Sequence, residues 1–280
     1  MVAASLERAF SRSPITQRCE DASIKALAAE GMRTSELQRS CGVDRVPTIL
    51  WMDVEDFIDR YPTVFHMAAE GAWPHVRRNG LLSTTALLDR YKVTGDRRRE
   101  LEACRRGKPA RIEHPDTGET AVLRDNGPIN ERLLRDDLLV GDTTLEEWYR
   151  LLNRHVFFWV HESGLSNFLR VYRKSAHDVI TVSTRRLVAR DYDRIIVTPM
   201  NTGSASWRTE LRRGRDIFEP HIHEFDLEAW ELLTPARRDA IVELAVDYAV
   251  ESIEDITVRV DRRAHDQVPR PLWEHPELSA

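Results

Sequence analysis

Apolar residues in this chain fall into runs of strand length, set between short helical segments and without regular β-α-β alternation. A doubly wound parallel sheet needs that alternation, so the spacing restricts the main part of the chain to an α+β domain. His155–Val160, Asp178–Ser183 and Arg194–Thr198 read as strands, with short helices at Leu165–Tyr172 and Thr184–Ala189 between them. Ala110–His114 and Thr120–Arg124 form a hairpin through Pro115, Asp116, Thr117 and Gly118, residues suited to reversing the chain. Thr144–Leu152 is a helix with a threonine N-cap and an acidic first turn. A helix begins at Thr234 and runs toward Leu244, a strand lies near Glu243–Val246, and Ile253–Val260 is a further strand.

Residues 1–51 differ in character. Two short helical patterns and a Gly42-Val43 turn outline a degenerate helix-turn-helix, although Pro47 sits near the start of the second helix and the segment is not notably basic. A packing extension and a DNA reader both remain open. Residues 52–262 form one mixed domain, and 263–280, with Pro269, Pro271 and Pro276, form an extended tail. The balance of 41 basic against 46 acidic residues gives no global nucleic-acid signature. Three scattered cysteines without a CxxC pair fit a reducing cytoplasm and argue against a disulfide framework. No run approaches 18 apolar residues, so no membrane partner is expected.

The densest candidate chemistry lies in Tyr61–Thr85. A strand ends on His66, an amphipathic helical segment follows around Trp73–Asn79, and a turn closes it at Gly80, Leu81, Leu82 and Ser83. A histidine on a strand end offers a ligand a rigid partner, and a glycine turn lets backbone approach closely. Far downstream, Glu243 interrupts the apolar run Ala240–Val246; a carboxylate there is costly unless it is paired or faces a cleft. Phe157, Phe158 and Trp159 alternate across their strand, so one face presents a stacking surface. His221 and His223, with Glu224 and Asp226, lack a third ligand at diagnostic spacing, and no metal is expected. The phosphate loop, the dinucleotide glycine fingerprint, HExxH and GxSxG are absent.

These blocks resemble the ADP-ribosyltransferase superfamily, in particular the branch related to DarT-type DNA ADP-ribosyltransferases. Tyr61–Ser83 is similar to its first motif, His155–Val160 falls where it has an aromatic-rich middle strand, and Val242–Val258 is similar to its last, Glu-bearing motif. The span from Met52 to Val260 also resembles an uncharacterised family of bacterial proteins carrying the same blocks. The resemblance implies split antiparallel sheets flanked by helices, with NAD bound as a substrate. It would place His66 on a ribose hydroxyl, with Met67 and Ala68 near the nicotinamide amide and Gly80 and Ser83 beside the cofactor. Phe157 or Phe158 would pack on the nicotinamide, and Glu243 would bond the nicotinamide ribose. The catalytic pair is then Glu243 and His66.

The chain departs from that pattern at Met67-Ala68, where a hydroxyl residue is usual two after the histidine. It departs again at the middle-strand aromatic, a tyrosine in other members, and at Ile241, which replaces an acceptor-positioning Gln or Glu. The last change weakens a protein-arginine target and leaves nucleic acid (DNA or RNA), a small molecule, or no transfer at all. The loop Asn201–Asp216 offers Arg208, Arg212, Arg213 and Arg215 to an anionic acceptor or to solvent. The leading expectation is an NAD-dependent ADP-ribosyltransferase-like enzyme acting in the cytoplasm. A non-catalytic nucleotide-binding relative, or a DNA-binding regulator with a ligand-sensing domain, are the alternatives.

Overall fold

Seven strands build the main sheet, and their order departs from chain order in a way that brings distant segments side by side. The computed structural model describes residues 54–127, 129–134, 138–205, 213–218, 222 and 241–278, all within one compact unit. The strands are β1 (Thr63–Ala69), β2 (Leu81–Leu82), β3 (Ala110–Glu113), β4 (Thr120–Leu123), β5 (His155–Trp159), β6 (His177–Ser183), β7 (Ile195–Thr198), β8 (Glu243–Asp247), β9 (Ala249–Val250), β10 (Thr257–Arg263) and β11 (Arg270–Glu274). Among the described residues the helices of seven residues or more are α1 (Val54–Arg60), α2 (Trp73–Asn79), α3 (Thr84–Arg90), α4 (Gly95–Ala103), α5 (Leu145–Arg154), α6 (Glu162–Val171) and α7 (Thr184–Asp191). The main sheet runs β11-β10-β6-β1-β5-β8-β7, and β2-β9 and β3-β4 form two small sheets. Its pairings are all antiparallel, so the domain is mixed α and β with antiparallel sheets, as the irregular strand spacing implies.

The sheet is not uniformly joined. β1 pairs with β6 along its whole length, from Thr63↔Ser183 to Ala69↔His177, and β5 pairs with β8 from His155↔Asp247 to Trp159↔Glu243. Between them, β1 meets β5 only at Phe65↔Trp159. The two halves therefore part beyond that rung, leaving backbone groups that need other partners.

Strand alternation sorts the side chains between two faces. Val64, Ala68, Val156, Phe158, Ile180, Leu244 and Val246 fall in the largest apolar cluster, which α1, α2 and α7 help to cover with Phe57, Trp73 and Leu187. On other faces Met67 and Val179 meet Leu165 and Leu169 of α6, and Ala245 meets Trp148 and Tyr149 of α5. α5 starts with a capping box in which Thr144 and Glu147 satisfy each other's backbone N–H groups. The β3–β4 hairpin rests on α3 and α4 through Ile112, Leu123, Leu88 and Leu101.

The structure departs from the expected pattern at three places. Ile253–Ile256 is a 3-10 turn and the strand begins only at Thr257, because Ser252 takes a left-handed conformation (φ 43°) and both isoleucines turn into the core. The segment from Glu243 is strand from its first residue; Thr234–Ala240, read as a helix start, lies outside the described residues, as do residues 1–51. The C-terminal segment is also more than a tail. Arg270–Glu274 adds the edge strand β11 to β10, and Trp273 packs on Trp73 with ring centroids 5.2 Å apart. Its prolines suit an edge, where a missing N–H costs no ladder bond. Among the described residues no helix is long and apolar enough to cross a membrane. Truncation after Arg263 should lower the melting temperature by at least about 5 °C, since it strips Leu272 and Trp273 from the core edge; an unchanged melting curve would show that β11 contributes nothing.

Candidate functional site

The parting of β1 and β5 opens into a cleft of ≈ 510 Å³. His66, Met67, Ala68, Gly80, Ser83, Phe157 and Glu243 all line it, together with Trp159, Arg106, Arg124, Asn201 and Thr202. Residues 177 positions apart in the chain thus meet one cavity because β5 lies between β1 and β8 in the sheet.

His66 is half-buried and its Nδ1 lies 2.8 Å from the carbonyl oxygen of Phe157, across the gap where the ladder fails. A carbonyl only accepts, so Nδ1 carries the proton and Nε2 is the acceptor nitrogen. Burial pushes the imidazole down to about 4, with the Phe157 bond opposing and the charge of Arg124 assisting. At neutral pH His66 is an uncharged ring whose Nε2 suits a hydroxyl donor.

Glu243 is 4 % exposed at the start of β8. Its Oε2 accepts from the backbone N–H of Thr202 at 3.0 Å, the Thr202 hydroxyl at 2.9 Å and, more distantly, the Thr198 hydroxyl at 3.5 Å. These donors all converge on one oxygen. Oε1 has no hydrogen-bond partner among the described residues and is left for the cleft. Burial pushes the carboxyl up to about 7; the threonine bonds and the charge of Arg213 restrain the rise.

The remaining expected residues divide. Phe157 faces the cleft, whereas Phe158 is 0 % exposed in the largest apolar cluster, where its ring meets that of His66 edge-on with centroids 5.7 Å apart; it backs the histidine and does not line the cleft. Ser83 caps α3, its Oγ accepting from Ala86 N at 3.1 Å, so its hydroxyl serves the helix while its position lines the cleft. Gly80 is required by conformation: φ is 81° and ψ 169°, and a Cβ would meet Val250 O at 3.0 Å where β2 pairs with β9. Arg213 is 1 % exposed and donates to Ser204 O at 2.7 Å, so it is a buried brace rather than an acceptor contact. Arg215 pairs with Glu147 at 3.0 Å on the surface. Arg208 and Arg212 lie outside the described residues, as do His221, His223, Glu224 and Asp226.

Sequence reasoning missed Thr202, Arg106 and Arg124. Thr202 left no local signal, since its role arises only when the post-β7 turn folds onto β8. Arg124 did leave one: it follows β4 at the alternation step that places it on the face of Val122.

The two shifted groups set opposite pH dependences. Below 4.5, the ordinary glutamate value, Glu243 is protonated in both folded and unfolded chains and its shift has no effect. Between 4.5 and about 7 only the unfolded chain gives up the proton, so stability falls as pH rises through that window. His66 stays neutral in the fold while the unfolded ring takes a proton below 6.5, so its contribution is lost as pH falls from 6.5 toward 4. Glu243→Gln should therefore stabilise the fold at pH 8, by on the order of 3 kcal/mol, and change it little at pH 4.5. Chemical denaturation at the two pH values measures this; an equal effect at both would remove the buried carboxylate from the account.

A family model described as a family of unknown function (DUF7002) matches residues 62–257, which takes in β1, the cleft and Glu243. Neither a curated protein nor a solved structure matches the chain. The match covers well over half of the 280 residues, and the chain belongs to this family of unknown function.

Proposed function

We propose that the cleft binds NAD as a substrate and that the chain is an ADP-ribosyltransferase-like enzyme related to the DarT branch. The observation that carries this reading is the convergence of His66 and Glu243 on one cleft where the main sheet parts. Further support comes from the aromatic Phe157 beside them, at the position of the middle-strand residue. The parted sheet agrees with the split sheet that the sequence resemblance implies.

In the reaction the bond between the ribose C1′ and the nicotinamide nitrogen breaks, and its electron pair leaves on nicotinamide. Positive charge develops on the ribose, and the ionised Glu243 stabilises it through Oε1, the oxygen not held by Thr202. The neutral His66 accepts a ribose hydroxyl at Nε2. The acceptor then attacks C1′, and the proton it sheds passes to solvent water. With Arg213 buried and Arg215 paired to Glu147, those arginines do not define the acceptor. A nucleic-acid base remains the acceptor class favoured by the resemblance, with DNA and RNA as the candidates.

Incubation with labelled NAD and a panel of DNA, RNA and protein tests this. Wild type should release nicotinamide; Glu243→Ala should be slower by about 100-fold or more, and His66→Ala should mainly raise KM. kcat/KM should rise with pH through about 7 as Glu243 ionises, then level. NAD binding without nicotinamide release would favour the non-catalytic nucleotide-binding relative. Neither binding nor release would sink both.

A further inference from the structure

The cleft wall beside the β3–β4 hairpin carries two guanidinium groups that, among the described residues, no carboxylate neutralises directly. Arg106 is 9 % exposed and gives its donors to neutral oxygens: Arg124 O at 3.0 Å, Asn153 Oδ1 at 2.8 Å, Thr84 Oγ1 at 3.4 Å, and Leu101 O. Arg124 lies over the Tyr172 ring, 4.8 Å from its centroid, with Nη1 3.1 Å from Nδ1 of His177. Among the described residues neither arginine has an Asp or Glu oxygen within 4.0 Å. Asp125 acts on both through space, but its Oδ1 is taken by the Tyr172 hydroxyl at 3.1 Å and Gly127 N at 3.0 Å. Burial holds both guanidiniums below their usual range.

The charged groups stand on different walls of the cleft. Glu243 belongs to β8 and is acted on by Arg213, whereas the charge of Arg124 at the end of the hairpin reaches His66. The cleft thus carries a carboxyl on its β8 wall and two guanidiniums on its hairpin wall.

We propose that the hairpin wall, through Arg124 supported by Arg106, is a phosphate-binding subsite that takes the diphosphate of a nucleotide. A guanidinium fork matches phosphate oxygens bidentately, and a buried cation lacking a counter-ion gains more from an arriving anion than a solvated one. Identification of that diphosphate with the centre of NAD rests on the preceding reading. There the cationic nicotinamide ring lies toward Glu243 and the anionic diphosphate toward Arg124, so ligand and cleft have complementary polarity. Anion recognition itself does not require turnover.

Pyrophosphate is the probe, titrated calorimetrically into the full chain at ionic strength matched with sodium chloride. Wild type should bind it, and Arg124→Gln should weaken binding by about 10-fold or more. Val122→Glu provides a second variant: Val122 is 51 % exposed, so the fold tolerates the change, and the new carboxylate shares a face with Arg124. It should weaken pyrophosphate binding too. Absence of binding by wild type, or equal affinity in all three proteins, overturns the subsite. If NAD is cleaved with the same KM by wild type and Arg124→Gln, the assignment of the subsite to the diphosphate of NAD is overturned while the NAD reading stands. If pyrophosphate binding depends on Arg124 but nicotinamide is never released, the subsite stands and the NAD reading falls.

Discussion

The hydrogen bond between His66 Nδ1 and the Phe157 carbonyl spans the place where the sheet comes apart. A backbone carbonyl that loses its ladder partner in a buried setting is costly to leave unpaired. Here a side chain replaces the missing strand contact, so β1 and β5 can diverge without an orphaned acceptor. The same bond fixes the tautomer and leaves Nε2 as an acceptor. One interaction therefore permits the cleft and sets the chemistry of the histidine that lines it.

Glu243 is the complementary case. A carboxyl that is 4 % exposed and pushed to about 7 works against folding at neutral pH. Thr202 limits that cost with two donors on Oε2, and their convergence on one oxygen orients the other. Retention of a destabilising group beside a cavity, braced rather than neutralised, is the pattern expected where function opposes stability. Arg213 contributes as a buried cation, 1 % exposed, and is therefore unavailable at the surface where the loop composition suggested it.

Much of the fold was legible because local pattern and tertiary role agree. Apolar runs near His155, Asp178 and Arg194 became β5, β6 and β7, and the Pro115–Gly118 turn joins a real hairpin. His66 and Glu243 stood out because a polar residue interrupts an apolar run, a signal that survives without a structure. Legibility failed where long-range contacts decide. Ile253 and Ile256 read as strand, yet a left-handed Ser252 winds them into a 3-10 turn. The prolines of the last segment suggested a loose tail, but an edge strand tolerates them. Phe157 and Phe158 could be separated only once the strand's faces were known. No pattern in the loop marks Thr202 as the brace of a carboxylate 41 residues away.

The central claim is that the parted sheet is a ligand cleft organised by His66 and Glu243. The most direct measurement is a crystal structure of the chain with NAD or ADP-ribose at saturating concentration. A ribose should appear in the opening between β1 and β5, with a hydroxyl on His66 Nε2 and Glu243 Oε1 facing the ligand. Density elsewhere with the parting empty, or no density at saturation, would contradict it.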